Sequence, residues 1–217
     1  MCIKKFINHI SLTRLTLKGM GKLYFIPYVF LFIIMPLLTK LDFIGGYPFE
    51  VCYSSTYIHL QVFLPFFAIW WTLFGFREYI EGESRELLLV YKKSIAVELL
   101  IVFIFYCSHI CALFCLYRII YNFNYFNCIF IFFVQSFAFF SICCSIAIFF
   151  KNIAIPFVIA LCYEIFCMSA NANFVKFINM LSEDVPKNIS EIIYPYIFIL
   201  IGGIIIFTLA NFKFKRL

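Results

Sequence analysis

Charge is what this sequence has least of. Only 13% of its 217 residues are Asp, Glu, Lys or Arg, against about a quarter in an ordinary soluble domain. With 65% hydrophobic residues and a mean hydropathy of +1.02, the chain cannot cover itself with a water-soluble surface. Glycine is scarce as well. None of the eight glycines opens a G-x-x-x-x-G-K-[ST] phosphate loop, so the chain has no nucleotide-binding motif of its own. The three histidines, His9, His59 and His109, have no acid at zinc-ligand spacing, and no H-E-x-x-H helix occurs. That pattern argues against a membrane metalloprotease. Most of the ten cysteines fall inside apolar runs, where a thiol acts as a small hydrophobe rather than part of a secreted disulfide scaffold.

What is present is long apolar runs. A membrane helix needs about 20 mostly apolar residues, and six segments approach that length. They are Leu23–Leu38, Tyr57–Phe76, Ile95–Tyr117, Tyr125–Phe150, Ala154–Ala170 and Ile192–Phe212. Only Lys151 and Asn152 stand out as polar between the fourth and fifth, which predicts a tight turn. The expected fold class is therefore all-α, a polytopic membrane protein with a six-helix domain over residues 23–212 and a basic tail at 213–217.

The basic residues orient it. With both termini inside, the inner loops hold Lys4, Lys5, Arg14, Lys18, Lys22, Arg77, Arg85, Lys92, Lys93, Lys151, Lys213, Lys215 and Arg216. The outer loops hold only Lys40, Arg118, Lys176 and Lys187. The positive-inside rule then predicts a plasma-membrane protein with cytoplasmic N- and C-termini. Residues 1–22 carry five basic residues and no acid. At about 100° per residue Ile3, Phe6, Ile7, Ile10 and Leu17 share one face, although Leu12 and Leu15 break the pattern. This predicts an interfacial amphipathic helix on anionic membrane lipid. The rival is a signal peptide, but no small-residue cleavage site follows. Residues 171–191 are predicted to hold a short outer helix, on the spacing of Phe174, Phe177, Ile178 and Leu181.

Three features inside the spans carry potential chemistry. Cys107, Cys111 and Cys115 line one face of the third helix, as a packing stripe or as soft-metal thiolates lacking an evident fourth ligand. Glu164 lies well inside the fifth run, while Glu98 sits near the inner start of the third. A carboxylate in lipid costs several kcal/mol unless paired, protonated or facing water. Glu164 is thus either a substrate-pathway residue or a protonated structural hydrogen bond, and its candidate partners are His109, Gln135 or the same residue across a dimer axis. The cluster Phe132, Phe133, Phe137, Phe139 and Phe140 either lines a route for an amphipathic substrate or packs against helices and lipid.

Against this background residues 77–94, REYIEGESRELLLVYKKS, stand out. They hold Arg77, Glu78, Glu81, Glu83, Arg85, Glu86, Lys92 and Lys93, eight of the chain's charged residues. Glu81 and Arg85 have the favourable i, i+4 order, and Leu87, Leu88, Leu89 and Tyr91 make the far end apolar. The segment reads as a short cytoplasmic helix over 77–93, or as a solvated loop. Its Glu83, Ser84, Glu86, Leu87, Leu88, Leu89 and Ser94 resemble the pattern E-x-x-G-T-L-E-L-L-L-x-x-P-x-S. That pattern belongs to permease subunits of ATP-binding-cassette exporters of the second type, which carry drugs, antibiotics and polysaccharides. Ser84-Arg85 and Lys92-Lys93 depart from it. SIAIFFKNIAIPFVIAL, residues 145–161, is similar to the S-L-x-F-x-N turn of the same family.

The resemblance implies that residues 77–93 are the coupling helix that docks on a separate cytoplasmic ATPase. Glu81, Glu83, Arg85, Glu86 and Leu87 would make the contact. Two permeases, identical or similar, would work with two ATPases, which would hold the ATP and magnesium. This chain would then carry no cofactor, bind no nucleic acid and catalyse no reaction itself. Its substrate would be an amphipathic peptide or bacteriocin, lipid or drug, either exported or extracted from the membrane. The alternatives of another class are a membrane-embedded enzyme or processing factor using Glu164 or a cysteine, and a non-transporting scaffold or sensor.

Overall fold

Proline decides how the first apolar run is built. In the computed structural model, which describes residues 2–83, 95–169, 185 and 189–216, helix α1 (Cys2–Gly19) ends at a turn where Gly21 takes φ +59°. The following helical stretch, α2 (Gly21–Ile44), is not uniform. It opens as a 3-10 turn (Gly21–Phe25), continues as α-helix (Ile26–Val29), widens to a π-turn (Phe30–Ile34) and finishes as α-helix (Met35–Ile44). Pro27 has no N–H to give the Leu23 carbonyl. That oxygen is served instead by the Ile26 N–H and by the Trp70 indole at 3.0 Å. Immediately before Pro36, Met35 donates its N–H to Phe30, five residues back, and this wide turn is the local answer to the second missing donor.

The remaining described elements are helical too. Helix α3 (Phe49–Gly75) begins after Pro48, and a one-turn helix, α4 (Arg77–Ile80), follows it. Helix α5 (Ala96–Tyr121) is closed by Asn122 at φ 59°, and a 3-10 turn (Phe126–Cys128) leads into α6 (Ile129–Phe150). Lys151, at φ 54°, ends α6, and Asn152 accepts the N–H groups of Ala154 (2.7 Å) and Ile155 (3.3 Å) to start α7 (Ala154–Ser169). The tight turn expected at Lys151-Asn152 is therefore formed by a left-handed cap followed directly by an N-cap. The last element is α8 (Ile189–Arg216). No strand occurs among the described residues.

Helices α3 and α6 form the centre. The former packs against α1, α2, α5, α6 and α7, and the latter against α3, α5, α7 and α8. Among the described residues, α2, α3, α5 and the segment Phe126–Phe150 are long and apolar enough to cross a membrane. Shorter apolar helical stretches run through Ala154–Cys167 and Tyr196–Phe212. Large apolar side chains face outward around the bundle, among them Ile104, Ile119, Phe198 and Leu209. A contiguous apolar exterior of this kind suits lipid, not water.

The helices outrun four of the expected spans: α5 runs on to Tyr121, α8 covers Ile189–Arg216, and α2 and α3 are extended as well. Helix α2 continues to Ile44 past Lys40 because Thr39 is buried and bonded to Thr56 (3.0 Å), while Lys40 points outward. Helix α3 starts at Phe49, not Tyr57, with Glu50 and Val51 exposed and one face of its first turns packed on the rings of Phe123 and Tyr125. There Tyr125 donates to the Tyr53 carbonyl (2.9 Å) and Tyr53 to the Asn124 carbonyl (2.9 Å). Hydropathy alone ends a span where polar residues begin, whereas packing lets the helix go on. Residues 84–93 of the expected coupling helix, and the expected outer helix around Phe174–Leu181, lie outside the described residues.

Of the glycine pair in α8, Gly203 makes the close contact. A Cβ there would meet the Phe137 ring at 3.2 Å and the Ser141 hydroxyl at 3.5 Å, whereas Gly202 faces open space. Phe132 and Phe140 are fully buried and Phe139 nearly so, which makes these three α6 phenylalanines part of the helix packing.

Candidate functional site

The chain's charged segment leaves α3 at Phe76, and the polar groups around it tie several helices together. Phe76, Tyr79 and Ile80 are buried, so the single turn of α4 is anchored against the bundle. The backbone then turns at Glu81. One carboxylate oxygen accepts from the Arg77 Nε at 2.9 Å, and the other accepts from the backbone N–H of Ile153 at 3.0 Å. Glu81 therefore links the segment after α3 to the α6–α7 turn. Gly82 makes the turn feasible, since a Cβ there would lie 2.8 Å from the Glu78 Cα and 2.6 Å from its carbonyl oxygen. Only a residue without a side chain fits.

The same end holds a second link. The His9 Nδ1 of α1 and the Glu98 carboxylate of α5 are hydrogen-bonded to each other, with Glu98 fully buried. Burial first, and then the nearby Glu98 carboxylate, push the Tyr79 phenol above its ordinary range. Two polar links thus stand at the charged end of the bundle: His9–Glu98 joins α1 to α5, and Glu81 joins the segment after α4 to the α6–α7 turn at Ile153.

The structure separates the expected contact residues. Glu83 is exposed, while Glu81 has both oxygens engaged within the chain. Its ion-pair partner among the described residues is Arg77, one turn earlier. Arg85, Glu86 and Leu87 lie outside the described residues.

The three expected pathway residues occupy three different environments. His109 belongs to an aromatic pocket between α2, α3 and α5. Its Nδ1–H donates to the Phe105 carbonyl (2.7 Å), which leaves Nε2 of the neutral ring to accept from the Tyr28 hydroxyl (2.7 Å). Trp71 crosses the imidazole edge-on at 5.1 Å, and its indole donates to the Tyr24 carbonyl at 3.0 Å. Gln135 is fully buried at the centre, donating to the Gln61 side chain (3.0 Å) and lying 3.4 Å from the Tyr196 hydroxyl. It joins α3, α6 and α8. Replacing Gln135 with leucine is expected to lower stability by about 1–2 kcal/mol, the range for hydrogen bonds between membrane helices. Unfolding of the reconstituted protein by a denaturing detergent would measure it.

Glu164 falls on the inward stripe of α7, with Pro156, Ala160 and Cys167. It is 5% exposed, and its Oε1 has no hydrogen-bond partner among the described residues. Its neighbours in the interior include Tyr106 and Cys143. The expected partners His109 and Gln135 are bonded elsewhere. Cys107 and Cys111 are half-buried and Cys115 exposed, all as free thiols. Among the described residues, no group of three His, Cys, Asp or Glu is arranged to hold a metal ion.

Sequence reading did not foresee the His9–Glu98 and Glu81–Ile153 links. Their partners are 89 and 72 residues apart, so no local pattern carries them. The one available signal for Glu98 was its being an acid inside an apolar run. No protein-family model, curated protein or solved structure matches the chain.

Proposed function

We propose that the chain is the membrane-spanning permease subunit of an ATP-driven exporter. In this reading it has six spans, with α7 and α8 completing the four longer ones, and both termini are cytoplasmic. A separate ATPase docks on residues 77–94, and a second copy or a similar permease completes the transporter. The observation that carries the reading is the double link of Glu81. A docking segment is useful only if force applied to it reaches the helices. Here Glu81 fixes that segment to the α6–α7 turn, and its other bond, from Arg77, holds the segment's own first turn.

Nucleotide would be held by the partner, where its binding and hydrolysis supply the energy. This chain's own part is mechanical and electrostatic. Exposed Glu83, together with Arg85, Glu86 and Leu87, offers charge and an apolar end to the partner. Glu81 and Gly82 hold the turn that passes motion to α6 and α7. The interior polar residues His109, Gln135 and Glu164 would lie along the route of an amphipathic peptide, lipid or drug.

The test is co-expression with the neighbouring genes. A P-loop ATPase is expected to co-purify with the solubilised chain. Reversing Glu83 and Glu86 to lysine is expected to lower stimulated ATP turnover at least about fivefold, the effect of ~1 kcal/mol of lost coupling, at unchanged membrane level. Failure to recover any ATPase would sink the proposal.

One observation favours a second reading. Glu164 is a buried carboxylate without a bond on Oε1, which suits a membrane-embedded enzyme as well as a pathway. Glu164→Gln separates the two. An enzyme loses activity in the purified chain alone, whereas a permease loses it only in the presence of its ATPase.

A further inference from the structure

Helix α1 does not lie flush against the bundle along its whole length. It is pinned near its middle by His9 on Glu98 and near its end by Leu17 and Met20, which approach α3 at Gly75. Beside these pins a groove of about 580 Å³ runs between α1 and α5. Ile10, Thr13, Arg14, Leu17 and Lys18 form its α1 wall, a spacing of three and four residues that puts them on one helical face. Opposite stand Ile101 and Phe105 of α5, and Tyr24 and Phe25 close the end at Gly21. The walls are apolar, with Ile10 44% and Phe25 60% exposed. Two cations rim the groove one turn apart, and among the described residues no acid lines it. Arg14 and Lys18 are exposed and make no ion pair among the described residues. The nearest acid on α5, Glu98, is already held by His9.

We infer that this groove is a binding site for one anionic phospholipid. The phosphate sits on Arg14 and Lys18, and an acyl chain lies along Ile101, Phe105 and Phe25. Charge complementarity commits the site to that occupant. An apolar slot would accept any acyl chain, but two cations one turn apart at its rim, unpaired among the described residues, select a negatively charged headgroup. A zwitterionic lipid brings its own positive charge to the same rim and loses that attraction. The site makes α1 a lipid-dependent element, since the lipid bridges it to α5 along the groove, beside the His9–Glu98 link. This inference holds whether or not the chain works with an ATPase.

The experiment uses the full chain, extracted from vesicles containing equal phosphatidylglycerol and phosphatidylcholine and weighed by native mass spectrometry. Phosphatidylglycerol is expected to be retained about 30-fold more strongly, from ~1 kcal/mol for each cation at 1.36 kcal/mol per tenfold. Neutralising both cations, Arg14→Gln with Lys18→Gln, is expected to remove the preference. Ile101→Trp, which fills the groove from α5 and keeps both cations, is expected to lower retention of that lipid. Lys40→Gln with Arg118→Gln, at the opposite end of the bundle, is expected to change nothing. Equal retention of the two lipids overturns the inference, as does a preference that survives loss of Arg14 and Lys18 or falls equally in the distant pair. A lipid-free dimer that Ile101→Trp splits would also overturn it, by showing that a second copy covers the groove.

Discussion

Isoleucine at Gly203 is expected to unseat α8 from α6, while isoleucine at Gly202 leaves the bundle intact. The two glycines are neighbours on one helix, yet their surroundings differ. A single Cβ at Gly203 already presses the Phe137 ring at 3.2 Å, and the extra atoms of isoleucine also press toward Ser141. The ring has little room to yield, because Phe103 and Phe140 stand 5.3 Å and 5.9 Å from it. Overpacking of this kind typically costs about 1–3 kcal/mol. Since α8 packs chiefly on α6, the strain cannot be shared with other helices. At Gly202 the new side chain meets nothing within 4 Å and points outward, where an apolar residue belongs. Thermal midpoints of the detergent-solubilised variants check this. A fall of several degrees at Gly203 and little change at Gly202 are expected. Equal midpoints would show that the α6–α8 contact is not as close as described.

Alanine at Glu81 is expected to release the α6–α7 turn from the segment after α3. Its bond to the exposed Arg77 side chain contributes little, at most about 1 kcal/mol. The bond from the Ile153 N–H is the stronger one, because a charged acceptor meets a half-sheltered backbone donor, at about 1.5–3 kcal/mol. Hydrogen exchange reads it directly. Glu81→Ala is expected to speed exchange at the Ile153 amide about tenfold or more, while Arg77→Ala leaves it nearly unchanged. Unaltered exchange in the Glu81 variant would falsify the link. For the transporter reading the same variant is expected to keep its ATPase partner but lose stimulated turnover. Reversal of Glu83 and Glu86 instead weakens the partner contact itself. The two outcomes separate transmission from docking.

These residues show how much of the molecule was legible in advance. The helical class, the apolar runs and the Lys151-Asn152 turn follow from local chemistry, since apolar length, missing donors at proline and capping side chains act over a few residues. As adjacent glycines in the last apolar run, Gly202 and Gly203 permit close helix contact by size alone. Which of them makes it depends on the rotation of α8 against Phe137. Glu81 was legible as a charged residue in a charged segment, and its local spacing favoured Arg85. Its bond to the Ile153 backbone could not be read, because a backbone donor leaves no mark in a sequence. His109, Gln135 and Glu164 were legible as polar residues in apolar surroundings. Their dispersal into three environments was not.

By itself, then, the sequence determined the solvent and the secondary structure: a chain this short of charge must turn apolar faces outward and bond its backbone within helices. The tertiary structure decided the pairings, because hydrogen bonds between residues 72 and 89 positions apart exist only once the helices are placed. It also decided that α1 stands off α5 far enough to leave a groove, and that Arg14 and Lys18 rim it. Sequence spacing could put those cations on a helix, but only the neighbouring helix could make them part of a site.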